Sequence, residues 1–102
     1  MSIDADMCMP IDLAGLLAEV GGAAHGGTAV LVRRGDGEIM GPRPGVHAVL
    51  ADAERRFGAV AAVAWREGTV PPGEPALAVA AAAPHRAEAF AACRMVLAAL
   101  AG

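Results

Sequence analysis

The sequence predicts a single α+β domain with an antiparallel or mixed sheet and about three helices. Its apolar pattern follows the order helix, strand, helix, strand, strand, helix, which is typical of this class. A chain of 102 residues has the usual size of one domain. No internal repeat and no linker divides the sequence, so we expect one core.

The first half of the chain contains a short helix and one strand. Residues 1–10 are interpreted as a flexible leader, so the domain is expected to span residues 11–102. Asp12 can cap a helix. The apolar positions of this helix are Leu13, Leu16, Leu17 and Val20. The β-type run 28–32 predicts a strand, and the glycine- and proline-rich stretch 33–45 predicts a loop.

The second half of the chain contains two helices and two strands. One helix is expected over residues 46–57 and ends at Gly58, a residue that suits a left-handed cap. Its apolar face consists of Val46, Val49, Leu50, Ala53 and Phe57. Apolar runs at 59–66 and 76–82 predict two strands, and the final helix begins after Pro84.

The alanine content of the chain predicts an interface with a second copy. Alanine accounts for 26 residues, whereas only three residues are aromatic. The strand over 76–82 has Leu77 and Val79 on one face and only alanines on the other. An apolar surface made largely of small alanine side chains favours burial against another chain. We therefore expect a homodimer formed through the sheet.

Charge and cysteine content exclude several classes of function. A net charge of −3 without an evident basic patch argues against nucleic acid or an anionic membrane as partner. All eight basic residues are arginine, so no lysine amine is available as acid, base or Schiff-base former. Two cysteines do not form a disulfide framework. No apolar run approaches the roughly 18 residues of a membrane span, and we expect a cytoplasmic protein.

The start of the last helix is a candidate anion-binding site. His85 and Arg86 lie where the helix dipole disfavours positive charge unless a negative group is near. Glu88 offers one such group, and in that interpretation Arg86 is solvated and paired with Glu88 or with a sheet edge. In the other interpretation, backbone amides and the Arg86 guanidinium together hold a phosphate or carboxylate.

No spacing in the sequence predicts a metal or cofactor site. His25 lies in a glycine-rich stretch and is expected to be solvated, and His47 is expected on the exposed side of its helix. A metal needs two or three converging ligands. Cys93 falls on the apolar stripe of the last helix and is expected to be an inert core residue.

Two segments resemble motifs of a known family. Residues 82–94 are similar to the Ser-Pro-His-Arg-x-x-Ala-Phe-x-Ala-Cys segment of the large, catalytic subunit of molybdopterin synthase, with Ala83 at the serine position. Residues 65–74 resemble the family's His-Arg-x-Gly-x-Leu-x-x-Gly-Asp/Glu segment. The two segments lie within residues 65–94, and the resemblance implies a MoaE-like domain of the α/β-hammerhead type.

The resemblance also implies partners and site residues. Such subunits form homodimers and bind a small ubiquitin-like sulfur carrier (MoaD-like) with a thiocarboxylated Gly-Gly tail. Sulfur then passes to a pyranopterin phosphate to give molybdopterin. By this resemblance His85 and Arg86 match the pocket pair for the anionic substrate, Arg66 matches the arginine of the second motif, and Arg33 matches the arginine that ends the first strand.

Three departures from the family leave the activity open. No Tyr-Glu-x-Tyr strand fits between Arg34 and Val46, Trp65 replaces a histidine, and the Pro-x-Trp-Lys-Lys tail with the catalytic lysines has no counterpart in these residues. The leading hypothesis is a shortened large-subunit homologue in molybdenum cofactor biosynthesis. One alternative is a non-catalytic dimeric module that binds the carrier, and another is an enzyme whose lysines come from a second chain.

Overall fold

The computed structural model describes residues 2–7, 10–22, 25–37, 39–40 and 45–101. These residues form a mixed sheet with helices on both faces, which confirms the α+β class. The elements are β1 (Ser2–Met7), α1 (Leu13–Val20), β2 (Gly27–Arg34), β3 (Ile39–Met40), α2 (Val46–Phe57), β4 (Val60–Thr69), β5 (Pro75–Ala83) and α3 (Arg86–Ala101).

The strand order is β1-β4-β5-β2. β4 pairs with β5 and β5 with β2 in antiparallel fashion, and β1 is parallel to β4. β3 pairs with the end of β4. As a result β1, β2 and β4 run in one direction, and their carboxyl ends lie at the same end of the sheet.

Strand β1 lies within residues 1–10, where the sequence analysis predicted a flexible leader and no strand. Ser2–Met7 pairs with 62–67 of β4. The sequence of this segment alternates polar and apolar residues, which is the period of a half-buried strand. Its partner is some sixty residues away, so local sequence indicates the strand only weakly.

Helix α1 covers the alanine face of the sheet. Asp12 begins the helix by accepting a hydrogen bond at Oδ1 from the backbone N–H of Gly15, at 3.0 Å. Leu16 and Val20 pack on the even-numbered alanines of β4 and β5, all of which are buried within one chain: Ala62, Ala64, Ala78, Ala80 and Ala82. The alanine face is therefore not the dimer surface that the sequence suggested, because α1 already occupies it.

Helices α2 and α3 pack on the opposite face and form the larger core. Gly58, with φ of 61°, ends α2 in the left-handed conformation that glycine adopts without a Cβ penalty. Glu54 links this end to β4, because its Oε2 accepts from the N–H of Ala61 at 2.9 Å. The core centres on the following side chains: Leu50, Val63, Leu77, Val79, Cys93 and Val96.

Cys93 is a core residue, as predicted. Its thiol is buried and lies 3.3 Å from the carbonyl of Ala29 and 3.2 Å from that of Val79. Burial raises the pKa of the Cys93 thiol to about 11, although backbone hydrogen bonds at Leu31 and Ala81 act in the opposite direction. The thiol is therefore protonated at neutral pH and is a poor nucleophile. The other cysteine, Cys8, lies outside the described residues.

The remaining element predictions hold with small differences. The helices begin and end close to the predicted residues, while all three predicted strands are longer by one to three residues at an end. The predicted loop 33–45 includes the end of β2 and the short strand β3, and residues 41–44 lie outside the described chain. Among the helices described, none is long and apolar enough to cross a bilayer.

Candidate anion-binding site

His85 and Arg86 lie at the beginning of α3 and are exposed. The N–H groups of the first helical turn have no partners within the helix, so this end favours an anion. No ion pair joins Arg86 to Glu88, which is half-buried. Residues two apart on a helix do not face each other, so the predicted pairing of these two side chains does not form. The Arg86 guanidinium is thus available to a ligand.

The start of α3 packs directly on a glycine pair. A Cβ at Gly27 would overlap with the N and Cα of Arg86 and would lie 2.8 Å from the His85 carbonyl carbon. A Cβ at Gly26 would lie 2.9 Å from the Pro84 oxygen. The two glycines therefore allow the helix start to approach β2 closely. This role is absent from the predictions made from the sequence, although two adjacent glycines at the start of a strand were a visible signal.

Arg66 lies at the opposite end of the sheet and is already paired. Its side chain is 5% exposed, and Nη1 donates to Oε1 of Glu74 at 2.8 Å, whereas Glu74 is half-exposed. A buried arginine of this kind needs its carboxylate partner. Arg66 therefore fixes the turn between β4 and β5, and its charge is compensated before any ligand binds.

The same turn is fastened to the end of β2. Nη1 of Arg34 donates to the Gly73 carbonyl at 2.6 Å, and the N–H of Gly35 donates to the Glu74 carbonyl at 2.8 Å. The N–H of Gly73 returns a bond to the Gly35 carbonyl at 3.0 Å. This clasp was not predictable from the sequence, because its members are almost forty residues apart.

The four predicted anion-binding residues lie in three separate places in one chain. Arg33 pairs in register with Leu77, and Leu77 pairs with Trp65, so these three share one face of the sheet. Arg66 follows Trp65 and points to the other face. Ala83 follows Leu77 by six residue steps along β5, which corresponds to about 20 Å along the strand. His85 and Arg86 follow Ala83, so one chain does not bring all four residues around a small ligand.

Trp65, which replaces the histidine of the family motif, is a core residue. It is 7% exposed and packs with the residues under α2 and α3. Its indole nitrogen is buried without a hydrogen-bond partner among the described residues. An indole N–H is a hydrogen-bond donor that does not ionise near neutral pH, so this position supplies no acid–base group.

Removal of the Glu74 carboxylate is expected to destabilise the sheet end. We predict that Glu74→Gln lowers the free energy of unfolding by about 1 to 2 kcal/mol, because the buried Arg66 loses a charge-assisted hydrogen bond. Urea unfolding followed by circular dichroism measures the change. Glu67, which follows Arg66 on β4 and is half-buried, is the matched control. Glu67→Gln should leave the midpoint of urea unfolding almost unchanged. Equal effects of the two variants would contradict a special role for the Arg66–Glu74 pair.

The structure was also searched for side chains that could bind a metal together. Within the described ranges, no group of three or more histidine, cysteine, aspartate or glutamate side chains could hold an ion. His47 is exposed, as predicted. His25 is half-buried rather than solvated, and its Nδ1 lies 3.4 Å from the Val20 carbonyl at the end of α1.

Comparison with known families identifies the class of protein. The sequence model of the MoaE protein family matches residues 44–101, a segment that contains α2, β4, β5 and α3. This segment includes both motifs singled out in the sequence, and it is more than half of the chain. The chain therefore belongs to the MoaE family. No curated protein sequence matches it.

Solved structures with the same fold come from several bacteria. The molybdopterin biosynthesis MoaE protein of Burkholderia ambifaria is 27% identical, with a TM-score of 0.84 over 98% of this chain and 76% of that one. Molybdopterin cofactor biosynthesis protein E of Burkholderia multivorans is 26% identical, with a TM-score of 0.80 over 98% and 80%. Molybdopterin synthase of Staphylococcus aureus is 14% identical, with a TM-score of 0.84 over 95% and 81%, and shares the fold.

Proposed function

We propose that this chain acts in molybdopterin biosynthesis as a large-subunit homologue that binds a pyranopterin phosphate and a small sulfur carrier. The observation that carries the proposal is the family's His85-Arg86 pair, exposed at the start of α3 and held there by Gly26 and Gly27. A phosphate at this position would receive helix N–H groups and the planar guanidinium of Arg86.

The sulfur carrier is proposed as partner on the basis of relatives. One solved relative, from Helicobacter pylori, is a complex of subunits 1 and 2 of molybdopterin-converting factor. It is 17% identical, with a TM-score of 0.62 over 88% of this chain and 70% of that one, so the likeness concerns the fold. The carrier would deliver sulfur from its thiocarboxylated Gly-Gly tail, as the family resemblance implies.

We also propose a homodimer, formed through the open edge of β2 instead of the alanine face. Within the described residues β2 pairs only with β5. The four apolar residues at its centre are all half-buried: Ala29, Val30, Leu31 and Val32. A strand with an unpaired backbone edge and apolar side chains on both faces is a template for another strand. The β2 strand of a second copy would pair with the free backbone N–H and C=O groups of this edge, antiparallel and about a two-fold axis.

Edge pairing of β2 would bring Arg33 of one copy toward His85 and Arg86 of the other. A two-fold axis near Val30 or Leu31 sets the Arg33 end of one β2 beside the Gly27 end of the other. Because α3 begins on Gly27, Arg33 of one copy would lie on the side of His85 and Arg86 of its partner. The separation of these residues in a single chain supports a site shared between copies.

A charge on this edge is expected to dissociate the dimer. Light scattering at micromolar concentration should give about twice the chain mass of 10.2 kDa. In a dimer centred near Val30, Val30→Lys brings two like charges together across the strands, and it should yield monomer. Val60→Lys is the matched control, since Val60 is also half-buried and packs against the same core cluster but lies on the inner strand β4. A monomeric wild-type chain would contradict the proposal.

Equilibrium binding of the pyranopterin phosphate tests the function itself. Loss of the Arg86 charge removes an ionic hydrogen bond worth about 1.5 to 3 kcal/mol, so Arg86→Gln should bind the precursor at least about tenfold more weakly. Arg55→Gln is the control, because Arg55 is engaged by Asp52 at 2.6 Å on α2. Equal affinity of Arg86→Gln and wild type would overturn the assignment of this site.

The second candidate function is a non-catalytic module that binds the carrier. One specific observation favours it: the 102 residues contain no lysine, and Trp65 replaces the family's histidine. Such a module would retain carrier and precursor binding but would not complete sulfur transfer. Whether the chain turns over the precursor separates the two functions.

A further inference from the structure

Helix α3 exposes a large apolar side chain. In the part of the chain that the structure describes, only Phe90, at 49% exposure, and Leu17, at 40%, leave a large apolar side chain open to solvent. Leu97 follows Phe90 by seven residues, or nearly two helical turns, so both side chains lie on the same side of α3. Leu97 is half-buried and packs at the border of the larger core. We call these two residues the α3 strip.

The α3 strip faces the open edge of β2. Helix α2 lies on the other side of α3, because Nη1 of Arg56 is 3.8 Å from Sδ of Met95, and position 95 is about 140° around the helix from Phe90. Helix α2 packs over the inner strand β4, where Glu54 bonds to the N–H of Ala61. The side of α3 that points away from α2 therefore points to the edge of the sheet.

The middle of the α3 strip lies where the two-fold axis of the homodimer is proposed. Helix α3 begins on Gly27, and the midpoint between positions 90 and 97 is about 11 Å further along the helix axis. The same distance along β2 leads from Gly27 to a point between Val30 and Leu31. The Cys93 thiol, 3.3 Å from the carbonyl of Ala29, shows that α3 follows β2 over this length. The edge of β2 and the α3 strip thus share one centre.

Two α3 helices across this edge would have the spacing of packed helices. The Cys93 thiol lies 3.3 Å from the Ala29 carbonyl on β2 and 3.2 Å from the Val79 carbonyl on β5, so α3 lies above the space between these strands. Its axis is therefore about half a strand spacing inside β2. After edge pairing, the α3 axes of the two copies would be two strand spacings apart, about 9 to 10 Å. Packed helices lie about 8 to 10 Å apart.

We infer that the α3 helices of two copies pack antiparallel across the edge of β2, and that Leu97 of each copy covers Phe90 of the other. A two-fold axis through the middle of the strip exchanges the two positions, so the same contact occurs twice. Arg94 is exposed on the outer side of this contact, where its stem covers apolar surface and its guanidinium stays in water. The inference rests on the proposed homodimer, which supplies the second copy and the axis but no contact between helices.

The dissociation constant of the dimer, measured by analytical ultracentrifugation, tests the inference. We expect Phe90→Ala to raise it at least about tenfold, because one truncation removes the same contact twice. Leu17→Ala is the matched control, since Leu17 is the other exposed large apolar side chain but belongs to α1, on the opposite face of the sheet. Its dissociation constant should stay within about twofold of wild type.

A pair of new cysteines tests the alignment of the helices independently of affinity. Phe90→Cys combined with Leu97→Cys should give a covalent dimer under mild oxidation, because each new thiol lies opposite the other position in the second copy. Either substitution alone should not, since positions 90 of the two copies would lie about 10 Å apart along the helix axes. The wild-type chain is the control for the two native cysteines.

The outcomes separate this inference from the proposed homodimer. If the wild-type chain is monomeric, the homodimer is wrong and the inference falls with it. If Val30→Lys dissociates the wild-type dimer, but Phe90→Ala stays as tight as wild type and the cysteine pair does not cross-link, the copies meet through β2 alone and only the inference is overturned. An equal loss of affinity in Leu17→Ala, or equal cross-linking by the single cysteine variants, would also contradict it. Circular dichroism of each variant excludes unfolding as the cause.

Discussion

The purified 102-residue chain is expected to form no molybdopterin when it is mixed with thiocarboxylated carrier and the pyranopterin precursor. By the family resemblance, sulfur transfer uses a lysine amine near the carrier tail, and these residues contain none. A positioned acid–base group contributes about a hundred- to ten-thousand-fold in rate. Arginine stays protonated at neutral pH, and Trp65 is buried in the core, so neither replaces it. The assay measures formation of the dithiolene product.

His85 is the one family-matched group that offers an alternative base. It is exposed at the start of α3, yet an imidazole does not form the amine adduct that a lysine would. Addition of a separate lysine-bearing large subunit is the informative control: product formed only in that mixture would favour an enzyme completed by another chain. Robust turnover by the chain alone, lost in His85→Ala, would contradict the prediction and assign the chemistry to His85.

Gly27→Ala is expected to destabilise the domain strongly, although it adds only one methyl group. The new Cβ would overlap with backbone atoms of Arg86, and these cannot move aside as the end of a flexible side chain could. Overpacking of this kind costs about 1 to 3 kcal/mol. At about 4 to 8 °C per kcal/mol for a domain of this size, the melting temperature should fall by about 5 to 20 °C. Because the start of α3 must shift, affinity for the pyranopterin phosphate should fall with it.

Gly22→Ala is the control for this substitution. Gly22 is exposed, and the nearest atom to a Cβ there is the His25 Nδ1 at 3.4 Å. Its effect should stay within about 0.5 kcal/mol, the usual range for an exposed position. Calorimetric melting and precursor titration are to be measured on both variants. A Gly27→Ala chain as stable as Gly22→Ala would contradict the close packing of α3 on β2.

The local elements were predictable because their signals are contained in short stretches of sequence. Helix α2 has an apolar face at helical spacing and a glycine that adopts φ of 61° at its end, and α1 has the Asp12 cap. The clasp between Arg34 and Gly73, and the parallel pairing of β1 with β4, were not predictable. Each joins residues roughly forty to sixty positions apart, and no local pattern specifies such a partner.

The candidate site shows the same division between local and distant information. The motif around His85 and Arg86 could be recognised from the sequence. The structure adds that both residues are exposed and that their helix begins in contact with Gly27. Arg66 matched the family motif equally well, yet its side chain is buried against Glu74. Sequence spacing therefore identified the residue types, while burial decided which of them are available to a ligand.

The sequence by itself determined the α+β class, the family motifs, the positions of the helices and the lack of any lysine in these residues. Only the tertiary structure decided which surfaces are covered. The sequence pattern of an alanine face is the same whether the face packs against α1 or against a second copy. Burial depends on the packing of distant elements. The structure covers that face with α1 and leaves the edge of β2 unpaired among the described residues. It also separates Arg33 from His85 by most of the length of β5.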